Sequence, residues 1–283
     1  MKLDVIRALR IEPIVQEYGI RETVLYALGL GYGGDPTDTQ ELPFVYEGAL
    51  KSVPSYVNVL CHPGFWAQRP EFGIDWVKIL HAEQDFRMHA PLPPTGALRG
   101  EYSVRAIEDK GDGRGALMHQ DKELYDVATG THIATVRSTL FLRGDGGQGG
   151  FGEPPAPATA LPDRAPDCSV AIATLPRQAL IYRLSGDWNP LHADPAIAAK
   201  AGFPAPILHG LCTNGIACRA ALSAYCDNDP ARLTGMFTRF SKPVMPGETI
   251  RVDFFEEGDA IRFRAVAQER NETVLDRCSL TIA

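Results

Sequence analysis

The sequence predicts an α+β protein made of two similar repeats. Two segments have the pattern of three-stranded β-meanders, and each lies downstream of a helical region. A Gly- and Pro-rich stretch separates the two halves, and related short helices stand at corresponding places in both. Helices and strands that are segregated along a chain favour α+β over an alternating βαβ arrangement.

The first repeat is predicted to span residues 1–143. A short amphipathic helix ends within VLYALGLG, which starts at Val24, and a central helix is predicted over DWVKILHAEQDFRMH, residues 75–89. The segment from residue 91 to residue 142 then has the pattern of a meander, in which Asp112-Gly113 and Thr129-Gly130 mark the turns.

Residues 144–161, GDGGQGGFGEPPAPATAL, are predicted to be a linker between the repeats. The stretch has no hydrophobic period, and Gly, Pro and Ala dominate it. A phosphate-binding loop would need a following GK[ST] and a βαβ context, and neither is found.

The second repeat is predicted to span residues 162–283. A short helix in ALIYRLSG, from Ala179, corresponds to the one in the first repeat. HGLCTNGIACRAALSAY, residues 209–225, predicts a central helix whose small residues let it lie close to a sheet. In the meander that follows, IRVDFF alternates apolar and polar side chains with the period of a strand.

Composition and charge exclude several classes of function. The chain has 283 residues, of which 45% are hydrophobic and 22% charged, as in ordinary globular proteins. A net charge of -7 disfavours a nucleic-acid partner. No apolar run approaches the ~20 residues of a membrane span, and the N-terminus lacks a signal-peptide pattern. Six scattered cysteines without a C-x-x-C pair indicate reduced thiols, so we expect a cytoplasmic protein.

The segment LSGDWNPLHADP, residues 184–195, concentrates polar groups where the backbone cannot be a regular helix. Asp187, Asn189 and His192 lie within six positions, and Pro190 disfavours α-conformation at Asn189. Asp194 before Pro195 is a good helix N-cap and has a structural role. A turn needs only one such Asx residue, so the carboxylate and the imidazole are more than a turn requires.

Three interpretations of this segment remain open from the residues alone. Asp187 and His192 can perform acid–base chemistry on a water molecule, with Asn189 fixing the geometry. The segment can instead be a structural turn, or a metal site with His209 as a third ligand. Gly210 follows at the start of the central helix, where free N–H groups can stabilise an oxyanion, although a glycine there can also be purely steric.

YRLSGDWNPLHADPAIAAKAGFPAPILHGLCTNGIA closely resembles the hydratase 2 motif of the MaoC-like, (R)-specific enoyl-CoA hydratases. YALGLG, FVYEG, KILHAEQ, PLPPTG and DKGDGRGA extend the resemblance to the two-repeat hydratase part of peroxisomal multifunctional enzyme type 2. The resemblance implies a double hot-dog fold, in which a long central helix is wrapped by an antiparallel sheet in each repeat.

The resemblance also assigns roles to residues of the second repeat. It places the catalytic Asp and His on Asp187 and His192, the supporting Asn on Asn189, and the oxyanion glycine on Gly210. His209 is expected to line the pocket. The first repeat has GLGYGGDPTD in the corresponding place, so one active site per chain is expected.

Further substrate contacts are expected by the same resemblance and by charge. The first repeat would accommodate bulky acyl chains, with Glu47 as a contributor. Arg239 and Lys242 are candidates for binding the phosphates of coenzyme A, which an acidic protein must meet locally.

The implied reaction is the reversible syn addition of water to a trans-2-enoyl-CoA, which gives a (3R)-3-hydroxyacyl-CoA. It needs no metal and no cofactor, because coenzyme A is part of the acyl-CoA substrate, and a homodimer is expected. Two alternatives are a hot-dog acyl-CoA thioesterase and a non-catalytic acyl-CoA-binding module.

Overall fold

The computed structural model describes residues 1–283. Five α-helices are present: α1 (Leu3–Arg7), α2 (Ile20–Gly29), α3 (Gln178–Tyr182), α4 (Pro195–Lys200) and α5 (Gly210–Tyr225). Ten strands are present: β1 (Ile14–Tyr18), β2 (Ile79–Met88), β3 (Gly96–Asp109), β4 (Ala116–Asp126), β5 (His132–Leu142), β6 (Cys168–Ala173), β7 (Leu233–Phe240), β8 (Thr249–Glu257), β9 (Ala260–Ala267) and β10 (Glu272–Ile282). No helix is both long and apolar enough to cross a bilayer.

All ten strands form one antiparallel sheet in the order β1-β3-β4-β5-β2-β7-β10-β9-β8-β6. Each repeat contributes five neighbouring strands, and the β2–β7 pair joins the two half-sheets, with Gln84 opposite Thr238. One hydrophobic cluster draws buried residues from both repeats. The two repeats therefore share a core and the α+β class is confirmed.

The meanders and their turns lie where the sequence predicts them. β3, β4 and β5 form the first meander, and β8, β9 and β10 form the second. Gly113 and Gly130 occupy the two predicted turns with φ values of +68° and +71°, a conformation that glycine adopts without a steric penalty. The predicted linker, residues 144–161, contains no helix or strand beyond a single bridge between Phe151 and Ile107.

The long helix α5 fills the second repeat, as its small residues predict. Ala217, Ala220 and Ala221 are fully buried along it. A Cβ atom at Gly215 would lie 2.4 Å from Leu30 Cδ2, so any other residue here would force Leu30 of the first repeat to move away from α5. The helix is thus fixed against both repeats.

The helix predicted over residues 75–89 is wrong. This segment forms the strand β2, which follows a short 3-10 turn at Trp76–Lys78. Gln84 and Phe86 are buried with the period of two that a strand requires, and β2 pairs with β5 on one side and β7 on the other. Backbone pairing on both edges overrides the helix propensity of the segment. A buried 3-10 turn at Pro54–Asn58 packs against β2, β5 and α5, so the first repeat lacks a long central helix.

Candidate active site

Residues 183–194, between α3 and α4, form a succession of tight turns, called here the Asp187 loop, and local side-chain hydrogen bonds fix its path. The Asp187 carboxylate accepts a hydrogen bond from Asn189 N at 3.1 Å. The Asn189 side chain in turn accepts one from Leu191 N at 3.0 Å and caps the 3-10 turn Pro190–His192. Asp194 then caps α4, as predicted. These local bonds fix the backbone and leave the second oxygen of the Asp187 carboxylate without a partner.

His192 is a buried imidazole in a defined orientation. Its Nδ1 donates to the Ile207 carbonyl at 2.8 Å, which leaves Nε2 with a lone pair to accept a proton. Burial lowers the pKa of His192 from its ordinary value of 6.5, and the Asp187 carboxylate opposes this shift. The ring is therefore neutral at neutral pH and available as a base.

His209 stacks against His192 with a ring-centroid distance of 3.7 Å. Its Nε2 donates to the backbone carbonyl of Asp187 at 3.2 Å, while its buried Nδ1 has no partner. Burial, followed by the neighbouring His192, lowers the pKa of His209 to about 4. His209 thus ties the Asp187 loop to the start of α5 and keeps a free acceptor beside His192.

The Asp187 carboxylate and the His192 and His209 rings each present an atom within 4.8 Å of the other two. This donor set is of the type that binds zinc. His209, however, commits Nε2 to the Asp187 carbonyl and keeps Nδ1 fully buried, so neither of its ring nitrogens is open to an ion that Asp187 and His192 would share. The arrangement is better suited to a water molecule held between a carboxylate and an imidazole.

Gly210 is the first residue of α5. The amides of Cys212 and Thr213 bond to the His209 carbonyl, but the N–H groups of Gly210 and Leu211 have no partner in the protein. They lie at the positive end of a 16-residue helix. A Cβ on Gly210 would lie 3.2 Å from the Phe240 ring, so a side chain here would press against that ring.

His81 approaches the same place from the first repeat. A β-bulge at Ala82 shifts the register of β2, which turns His81 towards the inner face of the sheet. Its ring centroid lies 4.9 Å from that of Phe240. Burial lowers the pKa of His81 to about 4, and the Asp187 charge partly opposes the shift. His81 was not predicted from the sequence, because KILHAEQ favours a helix. The alternation at Gln84 and Phe86 indicates a strand but not the bulge that turns His81 inwards.

Arg183 is a second residue of the site for which the sequence predicts no role. Its guanidinium lies 4.6 Å from the centre of the Trp188 ring and donates to the Trp188 carbonyl at 3.4 Å. Its charge also lowers the pKa values of His192 and His209. Arg183 therefore braces the Asp187 loop and favours neutral imidazoles.

The structure does not bring the other three predicted contacts to this cleft. Glu47 is exposed in the 3-10 turn Glu47–Ala49. Arg239 faces the outer side of β7, because side chains alternate along a strand and Phe240 occupies the inner side. Lys242 is exposed, and its Nζ lies 3.9 Å from Glu272. Sequence alone could not tell which face of β7 a cation would occupy.

Comparison with known proteins agrees with this architecture. The MFE-2 hydratase 2 N-terminal domain matches residues 16–144, and the MaoC like domain matches residues 157–277. The fold and the Asp187 loop thus define a MaoC-like double hot-dog protein, as the sequence predicts. The chain belongs to the enoyl-CoA hydratase 2 family of hydro-lyases.

Similar proteins cover almost the whole chain. Enoyl-CoA hydratase ChsH3 of Mycobacterium tuberculosis is 37% identical over 96% of each chain. The 3-hydroxyacyl-thioester dehydratase Y of the same organism is 44% identical over 84% of this chain and 82% of its own. A crystal structure of a MaoC-like dehydratase from Phytophthora capsici superimposes with a TM-score of 0.87 at 34% identity, covering 99% of this chain and 98% of that one.

Proposed function

We propose that the protein catalyses the reversible syn hydration of a trans-2-enoyl-CoA to a (3R)-3-hydroxyacyl-CoA. One observation carries the proposal: the Asp187 carboxylate and the neutral His192 ring lie within 4.8 Å of each other, in a loop that His209 joins to the free N–H groups of α5. The relatives named as an enoyl-CoA hydratase and a 3-hydroxyacyl-thioester dehydratase support the same substrate class.

The chemistry follows from the roles that these groups can take. Asp187 and His192 hold one water molecule, whose oxygen bonds to C3 while one of its protons passes to the pair. A proton from the same pair is delivered to C2 on the same face, which makes the addition syn. His192 Nε2 suits proton acceptance, because Nδ1 is already committed to the Ile207 carbonyl.

The thioester carbonyl gains enolate character as water adds at C3. The Gly210 N–H, assisted by the dipole of α5, is placed to stabilise this charge, and it needs no reorganisation to do so. A single donor of this type contributes ~10²–10³ in rate, and a general acid–base group ~10²–10⁴.

The acyl chain is proposed to extend towards the first repeat. α5 fills the inner side of the second half-sheet, whereas the first half-sheet is covered only by the short 3-10 turn Pro54–Asn58 and its neighbours. His81 and Phe240 stand where the two half-sheets meet, between the Asp187 loop and this region.

The test is a hydration assay on trans-2-enoyl-CoA substrates of increasing length. Loss of the enoyl absorbance should accompany formation of the (3R) product, identified by chiral analysis, with no free coenzyme A released. Release of free thiol without hydration would instead identify a thioesterase. Tight binding of the enoyl-CoA without turnover of any chain length would identify a binding module and refute the proposal.

A further inference from the structure

A second cluster of metal-ligating side chains lies on the first repeat. It consists of His89, which directly follows β2, Glu123 on β4 and His132 at the start of β5. Each offers one donor atom, and the three donor atoms lie within 4.8 Å of one another. Because β5 pairs with both β4 and β2, three adjacent segments of the sheet supply one side chain each.

A β-bulge places His132 in this cluster. Glu123 of β4 pairs with Thr135 of β5, and Tyr125 of β4 pairs with His132 of β5. The two β4 residues are two positions apart, whereas the two β5 residues are three positions apart. The additional residue on β5 turns His132 to the face that Thr135 occupies, opposite the buried Ala134. Without the bulge, residues 132 and 135 would point to opposite faces.

The three side chains are already held together by hydrogen bonds. His132 Nε2 donates to Glu123 Oε2 at 2.7 Å, and the Thr135 hydroxyl donates to the same oxygen at 2.6 Å. Since a hydroxyl has one hydrogen, His89 Nε2 must be the donor in its 2.9 Å contact with Thr135. The rings of His89 and His132 are stacked with centroids 4.1 Å apart.

We propose that His89, Glu123 and His132 form a binding site for a divalent transition-metal ion of the zinc and cobalt type. Two imidazoles with one carboxylate suit such an ion, whereas magnesium and calcium prefer oxygen ligands. With bonds of ~2.1 Å, tetrahedral ligands lie ~3.4 Å apart, so the exposed His89 must move towards the other two ligands, and the ion displaces the Nε2 protons of His89 and His132 to solvent. Water completes the coordination, and Thr135 orients the carboxylate.

This site is separate from the proposed catalytic loop. His81, which faces the catalytic cleft, and His89 are eight residues apart along β2, a span of roughly 25 Å in an extended strand. A bound ion would connect the start of the β2–β3 connection to β4 and β5. It would therefore act on the stability of the first repeat and not on the reacting atoms.

Titration of the metal-stripped, full-length protein with Co²⁺ tests the proposal. Visible cobalt absorbance and calorimetry should show saturable binding at this site, and the melting temperature should rise in the presence of the metal. His89→Gln and His132→Gln should each weaken binding at least ~10-fold and abolish the shift in melting temperature. Their melting temperatures without metal would show that the fold is intact.

His192→Ala is the matched control, because Asp187, His192 and His209 are the other cluster of potential ligands. The proposal requires that this variant bind Co²⁺ at the His132 site as the wild type does. Absence of saturable binding by the wild type would overturn the proposal. Binding that His132→Gln leaves unchanged and His192→Ala removes would overturn it as well, since the ion would then lie in the catalytic loop.

Discussion

The two repeats place the same short helix in two different surroundings. Tyr26 at α2 and Tyr182 at α3 are at corresponding positions, and their rings lie 5.9 Å apart where the repeats meet. After α3, the chain continues into Asp187, Asn189 and the buried His192. After α2, it continues into Gly31, with a φ of +85°, and a run of further turns. Equivalent backbone positions therefore carry the proposed catalytic groups in one repeat and only turns in the other.

An ion pair occupies this part of the first repeat. Arg219 of α5 contacts Glu41 at 2.6 Å, and their side chains are only 14% and 13% exposed. The same guanidinium donates to the Leu30 carbonyl and lies 4.9 Å from the centre of the Tyr32 ring. Arg219, Glu41 and the Leu30 carbonyl bind one another, and the buried Tyr32 hydroxyl is left without a partner. Only the second repeat places an imidazole beside a carboxylate in this loop, and both His192 and Asp187 keep unpartnered atoms there.

The interiors of the repeats differ as well. A 16-residue helix fills the second repeat. The first repeat contains a buried lysine, Lys122, whose ammonium donates to the carbonyls of Val57, Asn58 and Leu60. These carbonyls belong to the end of the 3-10 turn and the residues after it. One ammonium group thus provides hydrogen bonds for carbonyls that a longer helix would have paired with its own N–H groups.

Outside the Asp187–His192 pair, the largest expected effect comes from removing the N–H at the start of α5. Gly210→Pro deletes this donor at the first helical position, where proline is tolerated, and His209 already has the extended backbone that proline requires before it. We expect kcat/KM to fall ~10²–10³-fold with an unchanged helix content in circular dichroism.

Gly210→Ala is the control for this substitution, because it adds the same Cβ near Phe240 and retains the N–H. It should lose clearly less activity than the proline variant. Equal losses in the two variants would show that steric fit, and not the hydrogen-bond donor, is what matters at this position.

Lys122 tests how the first repeat is held together. Burial lowers the pKa of Lys122 to about 7, so at pH 6 the side chain is mainly an ammonium with one N–H for each of the three carbonyls. Lys122→Ala leaves three buried carbonyls unpaired and should lower the free energy of unfolding by about 3 kcal/mol or more. Urea unfolding at pH 6 measures this.

Lys122→Met restores the volume without the donors and should remain within about 1–2 kcal/mol of the alanine variant. A loss below about 0.5 kcal/mol in the alanine variant would mean that the three carbonyls have other partners.

The pH dependence of turnover tests the protonation state of His192 in the Asp187 loop. His192 must be neutral to accept a proton, and its pKa is lowered below 6.5 by burial. Activity should therefore stay constant as pH falls to 6.5 and then decline, approaching tenfold per pH unit, only below the lowered pKa. An acidic limb of kcat/KM above pH 6.5 would contradict a buried, neutral His192.

The smallest expected effect is on the ion pair of the first repeat. Glu41→Gln removes the charge that faces Arg219 and should cost about 1–2 kcal/mol of stability, because the pair is largely shielded from water. Hydration activity should be unchanged. Asp227→Asn, in the exposed pair with Arg232, is the matched control and should cost at most about 0.5 kcal/mol.

Local signals explain which parts of this account could be predicted from sequence. The small-residue pattern predicted α5, Asp194-Pro195 predicted the start of α4, and glycine turns predicted the meanders. The strand β2 was missed because its Lys, Leu, Ala, Glu and Gln residues favour a helix locally, while pairing with β5 and β7 depends on distant segments.

The site shows the same division between local and distant information. Asp187, Asn189 and His192 are close in sequence, and hydrogen bonds from backbone N–H groups to the Asp187 and Asn189 side chains fix the turn that contains them. His81 reaches the cleft only because a bulge changes the register of β2, which no local pattern reveals. The homodimer and the cytoplasmic location stay predictions.

The most direct test of the central claim is the hydration rate of Asp187→Asn and His192→Ala on one trans-2-enoyl-CoA. If the pair in the second repeat activates water, each variant should lose ~10²–10⁴ in kcat/KM, and the double variant should lose far less than the product of the two. Wild-type rates in either single variant, with the fold intact, would contradict the account.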